Sequence, residues 1–193
     1  MNTISAPRIE TVDELGIGRL ELFPIAPDEE TLLSICRELF ENHWQSIVFG
    51  TLILGAVFEC KATAAPKKIS LFDGYLTVDF GAWHFHVCIG AHKGSANNPV
   101  DPELARIRRT GRAELYRQLG PEGAPQSWGL RLFNGRGEQQ MTVFLPNPFI
   151  GDDGNLTRNP DWSRLVLWDA LRARYLGLPP DPRDRAATAF FHG

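Results

Sequence analysis

Three cysteines in 193 residues, Cys36, Cys60 and Cys88, are too few and too widely spaced for a disulfide framework or a four-cysteine zinc site. Reduced thiols are therefore expected. Long apolar runs are missing as well: the most hydrophobic window, residues 46–58, holds two glycines and is too short to cross a bilayer as a helix. Charge of one sign is also scarce. Twenty Lys and Arg against 23 Asp and Glu give a formal net charge of −3, so no strong field draws the chain to nucleic acid or to an anionic membrane. The opening residues lack the basic flank and apolar core of a secretory signal, which sets the expectation of a cytoplasmic protein. Serine nucleophile elbows, Cys-x-x-Cys pairs and nucleotide-binding signatures do not occur.

What the chain does have is the composition of an ordinary globular protein, and its length fits one domain over residues 1–193, with residues 1–18 loosely held. Pro27-Asp28-Glu29-Glu30 opens a helix whose apolar spacing, Leu32, Leu33, Cys36, Leu39 and Phe40, runs to about Asn42. Strands are predicted over residues 46–60, 69–72, 75–80, 83–89, 127–133 and 138–145. Residues 46–60 read as one buried strand with a bulge at Gly50 or Gly55. Asp101-Pro102-Glu103 caps a helix predicted to reach Leu119, and Asn159-Pro160-Asp161 opens another that Gly177 ends. Asp181-Pro182 opens a last short helix. The sum is an α+β fold, a single domain with a mostly antiparallel sheet of five to six strands packed on one face by three main helices.

The most pointed chemistry lies in Trp83-His84-Phe85-His86-Val87-Cys88-Ile89-Gly90-Ala91-His92, which holds three of the five histidines. Strand alternation puts His84, His86 and Cys88 on one face and Phe85, Val87 and Ile89 on the other. A two-residue turn at Gly81-Ala82 then sets Phe80 opposite Trp83, Asp79 opposite His84, Thr77 opposite His86 and Tyr75 opposite Cys88. A second hairpin around Gly135-Arg136 pairs Trp128 with Val143 and Leu130 with Met141, and its other face carries Arg131, Glu138, Gln140 and Thr142.

Two histidines one residue apart on a strand lie ~7 Å apart, close enough for both imidazoles to lean onto one metal ion with bonds of ~2.1 Å. Cys88 lies a further ~7 Å along and joins His86 more readily than His84. The metal-ligand candidates are therefore His84, His86, His92 and Cys88. Asp79, Glu138 and Arg131 are the candidate catalytic or substrate-orienting groups, and Trp83 and Tyr75 the candidate walls of a ligand pocket. The stretch His84-Phe85-His86 resembles the zinc-binding strand of the α-carbonic anhydrases. That family takes a third histidine from an adjacent strand, whereas none occurs here between His92 and His192, so the likeness is one of local geometry and not of membership.

Alternating polar residues are also what any half-exposed strand carries, and His84 and His86 hydrogen-bonded to Asp79 and Thr77 would satisfy the pattern without a metal. Arg106, Arg108, Arg109 and Arg112 read as a solvated helix face beside Glu103 and Glu114. The functional expectations are three. The first is a zinc- or iron-binding protein, extending to a metal-dependent enzyme acting on a small, anionic molecule at the His-x-His face. The second is a non-enzymatic module for a small molecule or a haem-like cofactor, and the third a subunit-interaction protein forming a homodimer.

Overall fold

Asp28 starts the first helix as its position before two acids suggests: its carboxylate accepts the Thr31 N–H at 2.9 Å, and Glu29 and Glu30 occupy the positive end of the helix. In the computed structural model, which describes residues 9–53 and 55–191, this helix is α1 (Glu29–Arg37). A π-helical turn over Glu38–Asn42 follows it and buries Leu39 and Phe40, so the helical region ends at Asn42 as expected. Before it lie β1 (Glu10–Glu14) and β2 (Gly18–Ile25), an antiparallel pair. The N-terminal stretch expected to be loosely held is thus a strand from Glu10 onward, while residues 1–8 lie outside the described residues.

After α1 come β3 (Val48–Gly50), β4 (Leu52–Ile53) and β5 (Ala56–Val57), then β6 (Lys68–Phe72), β7 (Tyr75–Asp79) and β8 (His84–Cys88). The single strand expected over residues 46–60 is broken, with Gly55, at φ 88°, turning β4 back on β5. A short ribbon of β9 (Gly94–Ser95) and β10 (Asn98–Pro99) leads to α2 (Pro102–Arg108). The long strands β11 (Thr110–Leu119) and β12 (Pro125–Asn134), then β13 (Gln139–Phe144) and α3 (Val166–Leu176), complete the chain, with short 3-10 turns over Trp162–Leu165 and Pro182–Arg185. The fold is α+β, built on an antiparallel six-stranded sheet in the order β1-β2-β11-β12-β13-β3, with β6-β7-β8 as a separate three-stranded sheet.

The largest departure from expectation is α2. Asp101 does cap it, accepting the Glu103 and Leu104 N–H groups, but the helix ends at Arg108 and residues 110–119 are a strand. Glu114 and Arg117, whose charges imitate a solvated helix face, are both buried. A strand covered on both faces carries no two-residue alternation of polarity, so local spacing favours the wrong period there. The second hairpin also shifts. The Asn134 N–H donates to the Glu138 carbonyl, and Gly137 takes a φ of 81°, so the tip holds three residues and not two. In consequence the Trp128 carbonyl accepts from the Leu145 N–H, not from a strand paired at Val143. Arg131 and Thr142, placed on a polar face by alternation, are buried.

The chain forms two compact units, one comprising the chain up to Ile25, Glu114–Leu130 and the chain from Phe144, the other Ala26–Ala113 and Arg131–Val143. In the first, Leu20, Leu22 and Tyr116 form an apolar cluster. A buried ionic cluster lies within the same unit. Arg117 reaches Glu21 at 2.6 Å, Asp181 at 2.8 Å and Asp184 at 2.7 Å. Asp184, fully buried, also accepts the indole N–H groups of Trp128 at 2.9 Å and Trp168 at 2.8 Å. It thereby ties the 3-10 turn over Pro182–Arg185 to β11, β12 and α3. In the second unit Phe40, Phe49, Phe80, Trp83 and Phe85 pack ring against ring, with Phe80 and Trp83 stacked at 4.3 Å.

Removing one partner from a buried, hydrogen-bonded charge cluster leaves the others uncompensated, at a cost of about 3–5 kcal/mol. Asp184→Ala is expected to lower unfolding stability by about that much. Urea unfolding followed by tryptophan fluorescence checks it; a loss under about 1 kcal/mol would show that Arg117 and the two indoles find other partners.

Candidate functional site

The β7–β8 hairpin has the register its turn predicts: Asp79 lies opposite His84, Thr77 opposite His86 and Tyr75 opposite Cys88. The Phe80 N–H donates to the Trp83 carbonyl, and Gly81 takes a φ of 91°. Leu76, Val78, Phe80 and Val87 are buried on the opposite face, so the chemistry-bearing side chains share one side. His84 and His86 are exposed, with ring centroids 4.9 Å apart and planes at 72°. Nδ1 of His86 lies 2.7 Å from the Thr77 hydroxyl. Asp79 stands across from His84 but turns its carboxylate to the Gly81 N–H at 2.6 Å.

Further along the same face a second group assembles around Tyr75. Cys88 and Arg108 lie near its hydroxyl, and its ring meets the edge of His92 with centroids 5.0 Å apart. Burial pushes the Cys88 thiol up, against the pull of the Gly90 main chain, Tyr75 and the arginines 108 and 109. The thiol donates to the Gly90 carbonyl at 3.7 Å. His92 is held from its other side by Asp73, whose carboxylate lies 3.4 Å from Nε2. Asp73 is itself fixed in the Asp73-Gly74 turn, where both residues have positive φ and the carboxylate accepts the Lys93 N–H at 2.7 Å and the Gly94 N–H at 2.9 Å. The Lys93 amide chiefly holds the Asp73 carboxyl below its ordinary range, against partial burial.

His92 faces a cleft of about 540 Å³ whose other lining includes Arg106, Arg109, Thr110, Gly111 and Gly135. Thr110 fixes its base by donating to the Cys88 carbonyl at 3.0 Å, and lies 2.8 Å from Oε1 of Gln140. Gln140 in turn donates to the Arg108 carbonyl. Gly135 has no room for a side chain, because a Cβ there would stand 2.2 Å from the Arg106 carbonyl oxygen. The two cleft arginines differ. Arg106 is engaged, with a two-pronged bond to Glu103 at 2.7 and 2.8 Å and a third to the Gly135 carbonyl. Among the described residues, the Arg109 guanidinium has no hydrogen bond or ion pair.

The remaining sequence candidates lie elsewhere. Glu138 closes the β12–β13 tip, its carboxylate accepting from Nδ2 of Asn134 at 2.8 Å. Arg131 is buried with its guanidinium 5.2 Å from the Phe133 ring. Trp83 belongs to the aromatic stack with Phe49 and Phe80. Among the described residues no group of three or more His, Cys, Asp or Glu side chains is arranged to hold a metal ion. The structure thus brings Tyr75, Cys88 and His92 together and sets His84 and His86 side by side. Asp73 and Arg109 were missed by residue-type reasoning. The Asp-Gly dipeptide between two strands signals the first, and the four closely spaced arginines the second.

Residues 9–177 match the family of unknown function DUF7676, and the chain belongs to that family. No curated protein matches it.

Burial raises the Cys36 thiol to about 12, and Cys88 is buried too, whereas Cys60 is exposed. A thiol-reactive dye at pH 8 is therefore expected to label one cysteine in the folded protein and three after denaturation. Peptide mapping that finds Cys88 labelled as fast as Cys60 would contradict the closed packing around Tyr75.

Proposed function

We propose that the protein binds a small organic anion in the cleft lined by His92, Arg106 and Arg109. The observation that carries this reading is the difference between the two arginines: Arg106 braces the cleft wall through Glu103 and Gly135, and Arg109 keeps its planar donor fork unspent. Pro27, Ala91 and Ala105 add small apolar wall, and the volume lies in the range of small-molecule sites. The anionic ligand foreseen from the sequence is thus assigned to Arg109 in place of the buried Arg131. Three free cysteines fit a reducing compartment, and we assign the protein to the cytoplasm on that basis.

A charge-assisted hydrogen bond to such a group contributes about 1.5–3 kcal/mol, or roughly 10- to 100-fold in affinity. Titration of the protein with a series of short carboxylates and phosphates, followed by amide NMR shifts, is expected to move the signals of residues 91–93 and 109–111. Arg109→Gln is expected to weaken binding at least tenfold. Shifts spread over unrelated surface, or an unchanged affinity in the variant, would remove this reading.

One observation favours a second reading, the divalent metal foreseen at the His-x-His pair. Imidazoles with centroids 4.9 Å apart lie within the span over which one ion bonds a nitrogen of each at ~2.1 Å. Both rings are exposed, and such a pair supplies two ligands with the rest of the shell left to water or to a bound molecule. Zinc, iron or another divalent ion would then bind weakly and reversibly. Calorimetric titration with Zn²⁺ is expected to show one site that His84→Ala abolishes. Zinc affinity unaffected by the substitution would count against it.

A further inference from the structure

The hairpin turned at Gly55 covers one side of the six-stranded sheet and leaves its own outer side open. Its arms keep a single register: Ile53 faces Ala56, Leu52 faces Val57, the Phe58 N–H donates to the Thr51 carbonyl at 3.0 Å, and Phe49 and Cys60 exchange main-chain bonds of 3.0 and 2.8 Å. Phe49 belongs to β3, the last strand of that sheet, and its ring is buried in the aromatic stack. The arm from Ala56 to Cys60 is therefore fixed to packed core. Gly50 lets the two arms close on each other, since a Cβ there would stand 1.7 Å from the Phe58 carbonyl oxygen.

A residue that exchanges both main-chain bonds with its antiparallel partner leaves the N–H and C=O groups of its two neighbours facing the other way. Those neighbours are Glu59 and Lys61, and among the described residues neither has a hydrogen-bond partner. Open sheet edges are ordinarily blunted by charge of one sign, as at β1 with Glu10, Asp13 and Glu14. This edge is not: Val57 and Phe58 are more than half exposed, and its two charges are opposite in sign. Glu59 and Lys61 also flank Cys60 symmetrically. When two copies of the arm meet antiparallel about a two-fold axis at Cys60, Glu59 stands opposite Lys61 of the partner subunit, and the unspent main-chain groups of both residues pair. An axis at Glu59 or at Lys61 would set like charges together, and one at Phe58 would face each charge with an uncharged residue. We propose that this edge is a homodimer interface, in which two copies of the chain join edge to edge through Glu59 and Lys61 about an axis at Cys60. It uses none of the residues of the anion cleft or of the histidine pair, so it stands or falls apart from them.

Sedimentation equilibrium of the native protein over a concentration series is expected to show the 21.6 kDa chain in equilibrium with its dimer. Glu59→Lys and Lys61→Glu each set like charges opposite one another and are expected to weaken the dimer at least about tenfold. The doubly substituted protein, Glu59→Lys with Lys61→Glu, is expected to regain the native affinity, because exchanging both charges restores every pair. Glu59→Pro removes an N–H that has no partner within the chain, so it is expected to leave unfolding stability near the native value and to abolish the dimer. A short bis-maleimide is expected to join two native chains through the exposed Cys60. A protein that sediments as a monomer throughout the series overturns the proposal. So does a dimer that Glu59→Pro leaves intact, that the double substitution fails to restore, or that the reagent does not join through Cys60. Glu59 and Lys61 are both exposed, so the charge variants keep the fold and the comparison among them decides the matter.

Discussion

A helix that stops after two turns organises the cleft of this protein. Arg109 leaves α2 with a ψ of 143°, and the next residue, Thr110, is drawn by its hydroxyl to the Cys88 carbonyl. That junction does three things at once. It ends the helix, begins one of the two ten-residue central strands, and leaves Arg109 just beyond the helix in which Glu103 occupies Arg106. Gln140, bonded both to Thr110 and to the Arg108 carbonyl, holds the same turn from β13. A junction held by three side-chain bonds keeps its shape without a ligand, which lowers the ordering cost when one arrives.

Arginine serves opposite purposes in the two units. Arg117 is surrounded by three carboxylates, and with Asp184 and two indoles it converts a stretch rich in proline and charge near the C-terminus into part of the packed interior. The carboxylates of that arrangement are all paired, though Nε of the adjoining Arg172 is left without a partner, and the pairing suits a structural role. Arg109 instead carries unmet hydrogen-bonding capacity. Unmatched polar capacity in a cleft is what distinguishes recognition from scaffolding, since the free energy is released only when a partner is present.

Much of the architecture is legible in the residues. The Asp28, Asp101 and Asp161 caps, the stop at Gly177 and the β7–β8 register all follow from side-chain chemistry that acts within a few positions. The failures share a different cause. Residues 113–117 are covered on both faces, so the charge of Arg117 reflects distant partners such as Glu21 and Asp184 and not solvent, and no local pattern reveals that. The same limit applies to the site. Tyr75, Cys88 and His92 could be gathered from strand alternation, but the cleft needs Gly135 and Arg106 brought against His92 across dozens of residues of chain. Arg131 illustrates the converse: alternation placed it with Thr142 on a polar face, yet both lie inside.

The crowding at Gly135 bears on how this fold can diversify. With an Arg106 carbonyl 2.2 Å from where a methyl group would stand, the base of the β12–β13 loop cannot swell toward α2, while Gly137 two positions on meets nothing within 4 Å. Lengthening that loop is unobstructed on one side and blocked on the other, although Gly137 itself, at a φ of 81°, is strained by any side chain. Drift in the hairpin tip is thereby channelled outward to solvent, and the cleft wall behind it is insulated from the most changeable part of the surface.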